Sequence, residues 1–127
     1  MRILTVRQPW AYLLAAGIKD VENRSWRTAY RGRVLILASR KPSTTPHAVI
    51  EQRYGVVIPN ELPAGGIVGI AKIVGCVQRS NSPWFEGPWG WRFSEARAVA
   101  FIPCKGSLRL NTASKEITRR AILSARN

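Results

Sequence analysis

The chain has 127 residues, 46% hydrophobic and 21% charged, which fits a single globular domain over 1–127 and excludes a disordered basic tail. Twenty cations stand against seven acids for a formal charge of +13, and fifteen of the twenty are arginine. That excess of a planar, bidentate, stackable cation points to a polyanion partner. No apolar run nears the roughly 20 residues that cross a bilayer, and the opening MRILTVRQPW breaks at Arg7 without a secretory apolar stretch, so a cytoplasmic protein without a membrane partner is expected.

In chain order, residues 2–6 predict a short strand. Gln8 and Pro9 open a helix to about Ala16, with Trp10, Leu13 and Leu14 at helical spacing and Gly17 as its C-cap. Residues 18–31 are irregular and crowded with polar side chains. Residues 33–39 are a continuous apolar run of strand length, the pattern of a buried central strand. A second helix covers 46–54, with Thr45 as N-cap and Pro46 in the first helical position, and stops at Gly55. After a connection rich in proline and glycine, residues 67–78 form the longest strand-like segment, in which Gly69 and Gly75 predict bulges or sharp bends. A loop over 79–90 carries Trp84, Phe85 and Trp89. Residues 91–93 and 98–102 read as two short strands. The tail, 112–125, reads as a helix with Ile117, Ala121 and Ile122 on one face and Arg119, Arg120 and Arg126 turned to solvent. The expected architecture is α+β: a small curved, barrel-like sheet with flanking helices and an appended C-terminal helix.

Cys76 and Cys104 are isolated and His47 is the only histidine. Neither a zinc-type ligand set nor a histidine-based triad can be assembled from them, so no metal and no cofactor is expected.

The densest chemistry lies in 17–27 and continues through Tyr30, Arg31 and Gly32. In extended backbone Asp20, Glu22, Arg24 and Trp26 share one side and Val21 takes the other. Lys19 follows a helix-ending glycine, where a side chain can be pinned at a cleft edge. Lys19, Glu22 and Arg24 suit three tasks: charged hydrogen bonds to a planar polar ligand, acid–base chemistry, or an internal ion-pair network that holds a loop. Trp10 and Trp26 flank this segment, while Trp84, Trp89 and Trp91 gather in the later loop. Tryptophans interleaved with arginines suit stacking on unpaired bases, although a minority of the five is expected to face a ligand and the rest to fill the core.

Gln8-Pro9-Trp10-Ala11, Gly17-x-Lys19-x-x-Glu22-x-Arg24-x-Trp26, Tyr30-Arg31-Gly32 and Ile36-x-Ala38-Ser39 resemble the ASCH family, part of a PUA-like superfamily of small β-barrels with flanking helices. Gly65-Gly66-Ile67-Val68-Gly69, Gly87-Pro88-Trp89-Gly90-Trp91 and Phe101-Ile102-Pro103-Cys104-x-Gly106 follow in the order such domains use. The resemblance covers about 2–110 and leaves the helix at 112–126 outside. It implies a ligand site in the cleft that holds the lysine, and binding of nucleic acid, as in the similar RNA-binding PUA and YTH domains. One bacterial branch hydrolyses the acetyl amide of N4-acetylcytidine with a lysine, a threonine three positions later and a strand glutamate. Here Lys19 matches, Glu22 stands in the threonine's place, and residues 67–78 contain no acid. Another branch has ribonuclease activity, of which only the lysine maps onto this chain.

Three readings follow. The first is a module that binds RNA or single-stranded nucleic acid through a basic, aromatic-lined cleft. Its charged and polar contacts would be Lys19, Glu22, Arg24, Arg27, Arg31, Ser39 and Arg40, and its stacking surfaces would be drawn from the candidates Trp10, Trp26, Trp84 and Trp91. The second is a hydrolase acting on RNA or a modified nucleoside, with Lys19 and Glu22 as catalytic centre. The third is a protein-interaction domain that docks through the C-terminal helix.

Overall fold

The apolar run at 33–39 is the middle of the molecule. In the computed structural model, which describes residues 1–125, it forms β3 (Gly32–Ala38), with Val34 through Ala38 all buried. Before it come β1 (Arg2–Val6), α1 (Trp10–Ala15) and β2 (Val21–Arg24). After it come α2 (His47–Tyr54), β4 (Gly66–Val77), β5 (Trp89–Pro103), β6 (Asn111–Thr112) and α3 (Lys115–Ser124). The strands make one mixed sheet in the order β2-β5-β4-β3-β1-β6, with β1 and β3 parallel and the remaining neighbours antiparallel.

The run is apolar throughout because both faces of the sheet are covered. Val34, Ile36 and Ala38 pack with Leu4, Val6 and the α1 residues Ala11, Leu14 and Ala15. Leu35 and Leu37 turn the other way, onto Ile3, Ile67, Ile102 and Ala121 of α3. Helix α1 lies very close to β4: a Cβ on Gly69 would sit 2.4 Å from the Ala15 Cβ, so only glycine admits this approach.

Gly69 and Gly75 fall where the β4–β5 register shifts, as their place in the sequence predicts. The two short strands expected at 91–93 and 98–102 are instead one strand, β5. Ser94 pairs with Lys72 and Arg97 with Ile70, so Glu95 and Ala96 oppose the single residue Ala71. Glu95 adopts φ 53° at this bulge, and pairing resumes beyond it. A polar bulge reads in sequence like a loop.

Closure into a barrel is not observed. β2 and β6 are the two edges, and no ladder joins them among the described residues. They have four and two residues, too short for a seam. The sheet still curls far enough for Arg24 Nη2 of β2 to donate to Thr5 O of β1 at 2.8 Å, a side chain bridging the gap.

Helix ends differ from expectation in small ways. α2 begins at His47, with Pro46 as an extended N-cap (ψ 145°) and no side-chain cap, so Thr45 does not cap it. α3 is capped by Ser114, whose hydroxyl accepts from Ile117 N at 3.2 Å. Its Ile117 and Ala121, four residues apart, pack on the sheet, while Ile122 is rotated a further 100° and is 41% exposed. Packing therefore accounts for the apolar face of this helix. Arg126 lies outside the described residues. Among the described residues no helix is long and apolar enough to cross a membrane, and no group of three or more His, Cys, Asp or Glu side chains is placed to hold a metal ion.

Candidate functional site

Because β1 and β3 are parallel, their C-terminal ends emerge together: Val6 pairs with Ala38, and Ser39 N donates to Val6 O at 2.9 Å. Arg7 and Ser39 therefore leave the sheet side by side. Gln8 fixes what comes next. Its Oε1 accepts from Tyr12 N at 2.9 Å, its Nε2 donates to Pro63 O at 3.0 Å, and its backbone oxygen accepts from Ser43 N at 2.8 Å. The start of α1 and the 39–45 loop are held against each other, forming one side of a cleft of about 680 Å³. That volume is within the range of small-ligand sites, roughly 300–1,000 Å³.

The opposite side is built by the turn after α1 and by β2. Gly17 takes φ 76°, and Leu13 O accepts from both Ile18 N and Lys19 N at 3.0 Å, which aims Lys19 inward. Lys19 is 4% exposed, and its Nζ donates to Val21 O and, at 2.9 Å, to Glu22 Oε1. The other Glu22 oxygen pairs with Arg24 Nη2 at 3.1 Å. One carboxylate thus serves two cations on the cleft floor, which offsets the cost of removing these charges from water. The rings beneath and beside complete the setting: Lys19 Nζ lies 5.6 Å from the Trp10 centroid, and Arg24 Cζ 5.7 Å from that of Trp91. Arg24 Nε is buried without a partner.

The aromatic wall comes from the 79–88 loop, tied down by β2. Asn23 Nδ2 donates to Trp84 O at 3.0 Å, and Asn23 Oδ1 accepts from Glu86 N at 2.7 Å and Gly87 N at 3.0 Å. Asp20 Oδ1 accepts from the Ser82 hydroxyl at 2.6 Å. Trp84 then stacks on Tyr54 of α2, with centroids 3.9 Å apart and planes 21° off parallel. Trp26 stands 45% exposed at the cleft, and the 89% exposed Leu108 forms part of its lip.

Seven of the residues singled out from the sequence converge here: Trp10, Lys19, Glu22, Arg24, Trp26, Ser39 and Trp84 all line the cleft. Four do not. Trp91 is 2% exposed and lies beneath, its Nε1 donating to Trp26 O at 3.0 Å. Arg31 donates to the Thr28 and Tyr30 carbonyls, Arg40 runs alongside Gly65, and Arg27 is exposed outside the lining. Asn23, Lys41, Thr45, Tyr54 and the 107–108 lip also line the cleft, without a signal in the sequence that marks them as site residues. Arg7 is one of the arginines that favour nucleic-acid binding in the sequence, without a sign there that it lines the cleft.

Fold and site define a curled α+β sheet with a cation-rich cleft between its parallel strand ends and the segment from Gly17 to Trp26. The model of the ASCH domain matches residues 4–102, and the chain belongs to the ASCH family. It is 40% identical over 85 residues to human activating signal cointegrator 1 and 37% identical over 85 residues to the mouse protein of that name, in each case over 61% of this chain. It spans 15% of the length of these relatives. The crystal structure of a mutant ZmASCH protein from Zymomonas mobilis shares the fold, with a TM-score of 0.62 over 98% of both chains at 14% identity.

Proposed function

We propose that this chain, acting as one domain, binds RNA or single-stranded nucleic acid by taking an unpaired nucleotide into the cleft. The observation that carries the reading is the composition of that one cavity: Arg7, Lys19, Arg24 and Lys41 against Glu22 and Glu86, with Trp10, Trp26 and Trp84 in its lining. Stacking surfaces favour unpaired bases, and the cations favour the backbone to which the bases are attached. The floor of Lys19, Glu22 and Arg24 offers donors and an acceptor to the edge of a base, held by its own ion pairs before any ligand arrives. Membership of the ASCH family agrees with this reading.

The hydrolase alternative has less support. The Lys19 amine is engaged by Val21 O and Glu22, and the Glu22 carboxylate is shared between two cations, so a catalytic role for either would first require breaking these contacts. The test is titration of short unstructured RNA by tryptophan fluorescence at several salt concentrations. Contact with about five phosphates gives a slope of log affinity against log salt of roughly −3.5. Undetectable affinity at low salt, or affinity indifferent to salt, would overturn the proposal.

A further inference from the structure

The four cations of the cleft are not equivalent. Lys19 and Arg24 are committed to Glu22, and an anion placed on the floor would face that carboxylate. Arg7 and Lys41 are exposed, and neither pairs with an acid among the described residues. The same lining includes the hydroxyls of Ser39 and Thr45. Ser39 Oγ accepts from Lys41 N at 3.2 Å, which leaves its hydrogen free to donate. The other carboxylate of the lining, Glu86, sits on the aromatic loop, 3.5 Å from Tyr54 OH and 3.8 Å from Arg53 Nη1. At the end where β1 and β3 emerge, the lining cations Arg7 and Lys41 are paired with neither of these carboxylates.

We infer that Arg7, Ser39, Lys41 and Thr45 form a phosphate subsite, so that the cleft takes a nucleotide with its phosphate at the strand ends and its base towards Trp26 and the Lys19–Glu22–Arg24 floor. This rests on the nucleic-acid reading above and adds to it a ligand class and an orientation. Two unpaired, already solvated cations and two hydroxyl donors suit a tetrahedral anion with several acceptor oxygens. Parallel pairing places Arg7 and Ser39 before any ligand arrives, and Gln8 holds the loop that carries Lys41.

The experiment compares the four ribonucleosides with their 5′-monophosphates and a short single-stranded oligoribonucleotide, by calorimetric titration. The wild-type chain is expected to bind a monophosphate at least about tenfold more tightly than its nucleoside, the effect of one charge-assisted hydrogen bond or more. In Arg7→Ala/Lys41→Ala that ratio falls to about one, nucleoside affinity is retained, and the salt slope for the oligoribonucleotide becomes shallower by about 0.7, the loss of one phosphate contact. Arg7→Lys/Lys41→Arg keeps the charges and should keep the ratio. An unchanged thermal midpoint establishes that the alanine variant is folded. Equal affinity of nucleoside and monophosphate for the wild type, or a ratio that survives in the alanine variant, overturns the subsite while cleft binding stands. Failure of every one of these ligands to bind overturns both.

Discussion

On the floor of the cleft Lys19 is 4% exposed and its charge, with that of Arg24, is answered by Glu22. At the rim, Arg7 and Lys41 carry the same charge in water, and among the described residues neither pairs with an acid. The floor is part of the fold: its charges became affordable to bury only together, and removing one strands the others. The rim is nearly independent of the fold, and its charges are available to a partner. Composition counts all four cations alike. Their availability to a ligand is decided by where the acids fall.

Stability measurements separate floor from rim most forcefully. Glu22→Ala leaves two largely buried cations without their counter-charge and is expected to cost about 3–5 kcal/mol in urea unfolding. Arg7→Ala/Lys41→Ala should stay within about 0.5 kcal/mol of wild type. Similar costs for both would erase the distinction between floor and rim. Trp91 and Trp26 give the same contrast in aromatic form. Trp91→Ala empties a core position and should cost about 3–5 kcal/mol of stability. Trp26→Ala should spare stability and weaken oligonucleotide binding by about 1–3 kcal/mol, read from fluorescence titration.

A smaller effect is expected at the tie between β2 and the aromatic loop. Asn23→Ala removes one donor to Trp84 O and the acceptor for two backbone amides, at a cost of about 1–3 kcal/mol in unfolding experiments. It should also weaken nucleic-acid binding, because the Trp84 wall loses its anchor. At the low end, incubation with N4-acetylcytidine should release no acetate. Release that disappears in Lys19→Ala would give the floor a chemical role instead.

Much of the fold was legible because burial leaves a direct trace. The uninterrupted apolar run of β3 follows from cover on both faces, and Gly69 and Gly75 mark the register shifts of β4. The polar stretch from Ser94 to Arg97 hid the continuity of β5, since a bulge and a loop share a composition. Of the site, the segment from Gly17 to Trp26 was legible as a cluster in sequence. Its neighbours were not. Arg7 and Ser39 are 32 positions apart and meet only through the parallel pairing of β1 with β3. Tyr54 looks like an ordinary helical aromatic until Trp84 is stacked on it. Trp91 shared the signal of a ligand-facing tryptophan, yet its strand turns it into the core, where its indole supports the backbone of Trp26. Arg31 and Arg40 lie close to the motif in sequence and point elsewhere.

Entry of an unpaired nucleotide into this cleft can be followed through the five indole N–H signals of the protein. Titration with a short single-stranded oligoribonucleotide, followed by nuclear magnetic resonance, should move the signals of Trp10 and Trp26 most. The amides of Arg119 and Arg120 on α3 should stay in place. Shifts confined to α3, or unmoved cleft indoles at saturation, would contradict the account.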